Sequence, residues 1–161
     1  MAVKNKVLIL GVGNSILSDE GLGVHLVKRL QGEVFPDNVE IMDGGTLGLE
    51  LLTYMDNVAK LIIIDCVKGG AEPGSIFRFE PDKVNVIPNE HKISFHDLGI
   101  FDFIQLAALR ESLPPTIIFG MEPKEIDWGE ELSTPVAAEM GKLKALVTDE
   151  IEMSLKQLGI E

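Results

Sequence analysis

Blocks of apolar residues alternate along the chain with segments in which apolar residues recur at helical spacing. The continuous apolar runs Val7–Leu10, Val39–Met42 and Leu61–Ile64 predict strands that are covered on both faces. Between them, Gly21–Leu30 and Leu47–Met55 carry a Leu or Met at every fourth position, which predicts helices. This β-α-β-α-β order predicts a parallel sheet with right-handed crossovers and helices on both faces.

The second half of the chain continues the same alternation. Ser75–Phe79 predicts a short strand at a sheet edge, and Thr116–Phe119, stopped by Gly120, predicts a fifth strand. Asp97–Leu109 predicts a helix whose apolar residues lie on more than one face, so we expect it to be packed on both sides. The alternative is an exposed apolar patch that receives a partner protein. Residues 81–95 and 121–133 have little periodicity and predict loops.

A long helix closes the chain. Thr134 followed by Pro135 is typical of a helix start, with an N-cap hydroxyl and a proline at the first helical position. One apolar stripe then predicts the buried face of this helix: Met140, Leu143, Val147, Ile151, Leu155 and Leu158. Together these elements predict a single α/β domain over residues 1–161. Its architecture is a three-layer α/β/α sandwich with a twisted, mostly parallel five-stranded sheet.

The net charge and the cysteine content limit which partners and which compartment the protein is expected to have. The 161 residues include 26 Asp and Glu against 14 Lys and Arg, a formal net charge of −12. Nucleic acids and anionic membranes bind clustered basic residues, so this excess of carboxylates argues against both as the main partner. The chain has one Cys, which excludes an internal disulfide framework and a Cys-based zinc cluster and fits a reducing compartment. The first apolar run is too short for a secretory core or a membrane span, so we expect a cytoplasmic protein.

Carboxylates follow the first three predicted strands. Asp19 and Glu20 come after the first strand, Asp43 after the second and Asp65 after the third. Neighbouring parallel strands lie about 4.8 Å apart, so their carboxyl ends would bring these groups to one sheet edge. In open parallel sheets ligands bind at that edge, where the strand order reverses.

Each of these carboxylates has a structural alternative. Asp19 and Glu20 precede a predicted helix, where capping and favourable interaction with the helix dipole would account for one of them. Asp65 is harder to explain in this way, since it follows the most apolar strand and a buried charge without compensation is costly. We therefore expect Asp65 to have a cation, a hydrogen-bond donor or a functional task.

The histidines and the cysteine are weaker signals. His25 lies in the first helix and His91 in a polar loop, which favours solvated or half-packed side chains. His96 lies immediately before a predicted helix, and a neutral imidazole there could bind a metal ion. Cys66 is interpreted as a small buried residue, because a nucleophilic role requires a lowered pKa. If Glu20, Asp65 and His96 converge, their oxygen and nitrogen ligands would suit zinc or nickel.

A nucleotide-binding interpretation of the first loop is disfavoured. Gly11-Val12-Gly13-Asn14 opens like a dinucleotide fingerprint, but its sixth position is Ile16 where a Gly is required. The loop also ends in Asp19 and Glu20, which would repel a phosphate at the helix N-terminus.

Several motifs, in order along nearly the whole chain, resemble those of the [NiFe]-hydrogenase maturation endopeptidases. The likeness begins with Val7–Asn14 and Leu17–Gly21 and continues through Asp43-Gly44-Gly45-Thr46 and Ile62–Asp65. It includes Ile93–Gly99, with Phe95 where the family frequently has Pro, and a C-terminal pattern made of Gly120, Pro123, Gly129, Leu132, Ser133 and Pro135.

The resemblance implies both an activity and a site. Members of this family remove a short C-terminal extension from the precursor of the hydrogenase large subunit after nickel insertion. The metal-contacting residues of the family correspond to Glu20, Asp65 and His96, and Asp43 corresponds to a nearby loop of less defined role. The nickel is carried by the substrate, and another divalent ion such as zinc or cadmium would occupy the site in the free enzyme.

The expected partner is thus the large-subunit precursor, and we expect the protein itself to be a monomer that does not insert into a membrane. Two alternatives from other classes remain open. One is a non-catalytic chaperone that holds the nickel precursor, and the other is a flavodoxin-like nucleotide-binding module.

Overall fold

The structure is a computed structural model that describes residues 4–81, 94–95 and 98–160. Five strands form the main sheet in the order β2-β1-β3-β6-β4. A further strand, β5, pairs with β3 outside that path. The strands are β1 (Lys6–Val12), β2 (Val39–Gly45), β3 (Val58–Lys68), β4 (Ile76–Phe79), β5 (Ser94–Phe95) and β6 (Thr116–Met121).

Parallel pairing joins β2, β1, β3 and β6, whereas β4 runs antiparallel to β6 at the sheet edge. The chain leaves β1 toward β2 on one side and returns to β3 on the other. The strand order therefore reverses between β1 and β3, and their carboxyl ends flank the position where such sheets bind ligands.

Helices cover both faces, as the sequence predicts. The helices are α1 (Leu22–Gln31), α2 (Leu98–Leu109) and α3 (Thr134–Gln157). Helices α1 and α3 pack on one face in a core that includes Leu26, Met140 and Ile62. Helix α2 and a 3-10 helix over Leu49–Tyr54 cover the other face. The three-layer α/β/α sandwich is therefore confirmed, and all six residues of the α3 stripe pack in or against the core.

Four local predictions were wrong. The segment Leu47–Met55 is not an α-helix but the 3-10 helix, because the hydrophobic pattern locates the buried Leu51 and Met55 without fixing the hydrogen-bond period. The Thr53 hydroxyl donates to the Glu50 carbonyl oxygen at 2.8 Å, a local bond of the kind that competes with regular helix formation.

The strand ends are the second difference. Asp65 does not follow β3 but lies inside it, since Cys66, Val67 and Lys68 extend the strand. Gly120 likewise lies inside β6, paired with Asp65. The hydrophobic pattern ends both strands at the first non-apolar residue, whereas backbone hydrogen bonds carry them further.

The other two concern a loop and a helix. Residues 94–95 form β5 and are not loop, while residues 82–93 lie outside the described part of the chain. Helix α2 is not packed on both sides: Phe103 and Ala107 are buried, but Leu109 is 81% exposed. Because apolar residues occur on every side of this helix, the hydrophobic pattern does not indicate which face packs against the sheet.

No helix in the part of the chain that the structure describes is both long and apolar enough to cross a membrane.

Candidate active site at the reversal of strand order

Gly13 lies in the loop after β1, next to Asp65 on β3. Its φ of +126° is a conformation that side-chain-bearing residues rarely adopt. A Cβ atom at this position would come within 1.9 Å of the Glu20 carbonyl oxygen and 3.8 Å of Asp65 Oδ1. The absence of a side chain therefore lets the Glu20 backbone and the Asp65 carboxylate approach the same point.

Glu20 and Asp65 are both withdrawn from solvent. Asp65 is completely buried, and Glu20 is about 9% exposed at the end of a 3-10 helix over Ser18–Gly21. The backbone N–H of Cys66 donates to Asp65 Oδ1 at 2.7 Å. Burying a carboxylate is costly, and buried ionisable groups are concentrated at functional sites. The charges of Glu20 and Asp65 also act on the same neighbour, the Cys66 thiol. This pair is the best candidate for a functional site in the described part of the chain.

The predicted third residue, His96, lies outside the described residues. Its described neighbour Phe95 pairs with Val67, two residues beyond Asp65 on β3. Within residues 4–81, 94–95 and 98–160, no three His, Cys, Asp or Glu side chains form a set that could hold a metal ion. Of the predicted trio, the structure therefore describes Glu20 and Asp65, and the assignment of all three stays a prediction.

Asp43 has a local role that is visible in the structure. It is exposed, and its Oδ1 accepts a hydrogen bond from the Gly45 backbone N–H at 2.8 Å. The Gly45 carbonyl oxygen in turn accepts from the Gly13 backbone N–H at 2.8 Å. Asp43 lies inside β2 and not after it as predicted, and it shapes the end of β2 against which Gly13 is held; a direct part in chemistry stays a prediction.

Asp19 has a structural role that differs from the predicted helix cap. It does not cap α1, whose N-cap residue is Gly21. The fully buried carboxylate instead accepts four hydrogen bonds from a distant segment of the chain. The donors are the backbone N–H groups of Lys124 at 2.9 Å, Glu125 at 2.9 Å and Ser133 at 2.8 Å, and the Ser133 hydroxyl at 2.7 Å.

These bonds also explain the start of α3. Ser133, not Thr134, is the N-cap residue, and its hydroxyl is donated to Asp19 and makes no capping bond to the helix. The prediction of a Thr134 cap was therefore wrong by one residue. No spacing in the sequence could link Asp19 to donors more than a hundred residues away.

Glu122 is a further buried carboxylate, and the sequence predictions missed it. It follows β6, and its Oε1 accepts the backbone N–H groups of Gly69 and Ala71, each at 2.8 Å. These bonds hold the turn after β3. Its place immediately after an apolar strand was the available sequence signal.

Cys66 is a poor nucleophile. Burial raises the pKa of its thiol, and the negative charges of Asp65, Asp19 and Glu20 raise it further. A thiol with a raised pKa stays protonated at neutral pH, and the thiolate is the reactive form. The interpretation of Cys66 as a small buried residue is confirmed.

A thiol reagent tests this point. Iodoacetamide should leave the native protein unlabelled and its activity unchanged, because the only thiol is buried and protonated. The same protein in urea should take up one label per chain, as measured by mass spectrometry. Stoichiometric labelling of the native protein with loss of activity would contradict this assignment.

Gly13→Ala should cost about 3 kcal/mol or more of unfolding free energy, because the new Cβ would collide with the Glu20 carbonyl oxygen. Gly70→Ala is the matched control: Gly70 has a φ of +74° but no atom within 4 Å of the added Cβ. It should cost only about 1 kcal/mol from backbone strain. If urea denaturation shows that Gly13→Ala and Gly70→Ala lose the same unfolding free energy, the close approach at Gly13 is unimportant.

The comparisons with known proteins agree with this architecture. The family model for hydrogenase maturation proteases matches residues 24–153. The hydrogenase expression/formation protein HupD of Bradyrhizobium diazoefficiens is 37% identical over 135 residues, which cover 82% of this chain and 70% of that protein. The hydrogenase 2 maturation protease of Escherichia coli is 33% identical over 159 residues, 97% of this chain and 94% of that protein.

Solved structures give the same result. The hydrogenase maturating endopeptidase HybD of E. coli superimposes with a TM-score of 0.82 at 33% identity, over 92% of this chain and 93% of that chain. The [NiFe] hydrogenase maturation protease HybD of Thermococcus kodakarensis gives 0.75 at 26% identity, over 89% and 97%. The α/β domain thus matches a class of endopeptidases. This chain belongs to the hydrogenase maturation protease family.

Proposed function

We propose that this protein is the endopeptidase that removes the C-terminal extension from a nickel-loaded precursor of a [NiFe]-hydrogenase large subunit. The observation that carries the proposal is that Glu20 and Asp65 are both buried at the strand-order reversal, where the Glu20 backbone and the Asp65 carboxylate meet at Gly13. Family membership supports the reaction class, and the pair supplies a place for a cation that the substrate brings.

In this proposal Glu20, Asp65 and His96 contact the nickel of the substrate. Carboxylate oxygens and an imidazole nitrogen form a mixed ligand set that suits a borderline divalent ion. The two buried carboxylates support selectivity for a nickel-loaded precursor, since their negative charges would attract a precursor that carries the metal more strongly than one that lacks it. A zinc or cadmium ion in the free enzyme is a further proposal that fits the same ligands.

The hydrolysis itself requires a water molecule to attack the scissile carbonyl carbon while the C–N bond breaks and a proton passes to the departing amine. Two routes are compatible with these residues. The metal of the substrate would polarise the carbonyl or lower the pKa of a bound water, or a carboxylate would accept the water proton directly. In both routes Glu20 and Asp65 fix where the reaction occurs.

We further propose that the protein acts as a monomer in the cytoplasm.

The chaperone alternative predicts a stoichiometric complex and no bond cleavage. A turnover experiment separates the two: one protein molecule per hundred nickel-loaded precursor molecules should shorten most of the precursor. Retention of full-length precursor in a stable complex would favour the chaperone.

The nucleotide-binding alternative has no support in the structure. The space above Gly13, where a pyrophosphate would approach a dinucleotide-binding loop, is filled by the Glu20 carbonyl oxygen.

A further inference from the structure

An exposed aromatic residue lies on a firmly held loop beside the candidate active site. Trp128 is 78% exposed, and two residues to one side Ile126 packs against the core beneath α1 and α3, as Leu132 does four residues to the other. A large aromatic surface left in water between two anchored neighbours is typical of a residue that contacts a partner.

Several bonds fix this loop to the segment that leads to Glu20. The Ser18 backbone N–H donates to the Gly129 carbonyl oxygen at 2.8 Å, and the Gly129 N–H donates to the Ile16 carbonyl oxygen at 2.9 Å. The Ser18 hydroxyl donates to the Asp127 carbonyl oxygen at 2.8 Å. Together with the Asp19 bonds, these contacts hold the backbone on either side of Trp128 against the segment that carries Glu20.

Trp128 forms one wall of a cleft of about 430 Å³. Ser18 lines the same cleft and is two residues from Glu20, so their Cα atoms are at most about 7.6 Å apart. Three exposed carboxylates also line it: Glu125, Glu130 and Glu131. The cleft is thus a separate cavity beside the buried pair, with an aromatic wall and a negative rim.

The negative charge around the cleft indicates which kind of side chain it binds. Residues 122–133 contain five acidic residues and one basic residue, Lys124. An arginine or lysine side chain satisfies both features of the cleft, since it pairs with carboxylates and stacks on the face of an indole ring. An acidic or neutral partner segment would find no complementary charge there.

We propose that this cleft, which we call the Trp128 cleft, binds a basic side chain of the large-subunit precursor and so positions the precursor for cleavage at the neighbouring site. The inference rests on the proposed function for the identity of the partner. The surface itself rests on separate residues, so the two can fail independently.

Kinetics test the positioning role. Trp128→Ala and the double variant Glu130→Gln/Glu131→Gln should each raise the KM for nickel-loaded precursor on the order of tenfold and leave kcat within about twofold. Added salt should raise the wild-type KM but change that of the double variant little. Val34→Ala and Glu152→Gln are matched controls at exposed positions elsewhere and should behave as wild type. Unchanged KM in both cleft variants overturns the proposal.

Fluorescence tests the cleft without any turnover. Trp128 is the only tryptophan in the chain, so intrinsic tryptophan emission reports on this site alone. The N-acetylated tripeptide amide Gly-Arg-Gly should change that emission saturably in the millimolar range, whereas N-acetylated Gly-citrulline-Gly amide, its neutral counterpart, should not. The double variant should lose the response. No response, or the same response to both peptides, overturns the proposal.

The two experiments separate the failures. If the wild type cleaves no precursor, the proposed function fails, and the tripeptide titration still decides whether the cleft binds a basic side chain. If cleavage is normal but both cleft variants keep the wild-type KM, only the role of the cleft is wrong. Circular dichroism melts of the variants exclude unfolding as the cause of a raised KM.

Discussion

Glu20→Gln and Asp65→Asn should each lower the rate of precursor processing by at least about 100-fold while the protein stays folded. Both substitutions keep the size of the side chain and remove its negative charge. Asn at position 65 can still accept the Cys66 N–H bond through its amide oxygen, so the local backbone is preserved. What is lost is the anionic oxygen that the proposal assigns to the substrate nickel.

Measurements of the unfolding free energy show whether a loss of processing comes from the site or from loss of folding. A buried carboxylate is costly, so the neutral amides should leave the unfolding free energy within about 1 kcal/mol of the wild type or raise it. Glu152→Gln on the exposed side of α3 is the matched charge control and should process normally. Normal processing by both Glu20→Gln and Asp65→Asn would contradict the assignment, whereas a loss that follows unfolding would assign them a structural role.

Asp19→Ala should strongly destabilise the protein, with a loss of about 3–5 kcal/mol of unfolding free energy. The change removes the acceptor of four hydrogen bonds and leaves the backbone donors of Lys124, Glu125 and Ser133 without it. Domains of this size have a total stability of about 5–15 kcal/mol, so much of the protein would be unfolded at moderate urea.

Asp19→Asn should be milder than Asp19→Ala. Three of the four donors reach Oδ2 and one reaches Oδ1, so an amide oxygen in the Oδ2 position would keep three bonds. The amide nitrogen would then face the Ser133 N–H, a donor against a donor, at a cost of about 1–3 kcal/mol. In urea denaturation the unfolding free energy should be highest for the wild type, lower for Asp19→Asn and lowest for Asp19→Ala. A loss below about 1 kcal/mol for Asp19→Ala would show that the 124–133 loop is held by other contacts.

The sheet and its helices could be predicted because their residues carry local signals. Val7–Leu10 and Leu61–Ile64 are apolar without interruption, which is what burial on both faces requires. The α3 stripe repeats at helical spacing over six residues, so its buried face was evident. The positions of these elements can therefore be predicted from the pattern of buried residues alone, without knowledge of long-range contacts.

The site was only partly predictable. The sequence pattern placed Glu20 after β1 and Asp65 near the carboxyl end of β3, although Asp65 lies inside that strand and does not follow it. It could not show that Gly13 lets the Glu20 backbone approach the Asp65 carboxylate, since that depends on a positive φ and on packing against the Glu20 carbonyl oxygen. The four bonds of Asp19 depend on contacts across the whole chain, and a carboxylate before a helix looks the same whether it caps the helix or not.

The most direct measurement is mass spectrometry of a purified large-subunit precursor after incubation with this protein, in nickel-loaded and nickel-free forms. The proposed function predicts that the nickel-loaded precursor loses one C-terminal peptide of fixed mass and that the nickel-free form stays intact. Glu20→Gln and Asp65→Asn proteins should leave both forms intact. Full-length precursor in every sample, or equal cleavage with and without nickel, would contradict the proposed function.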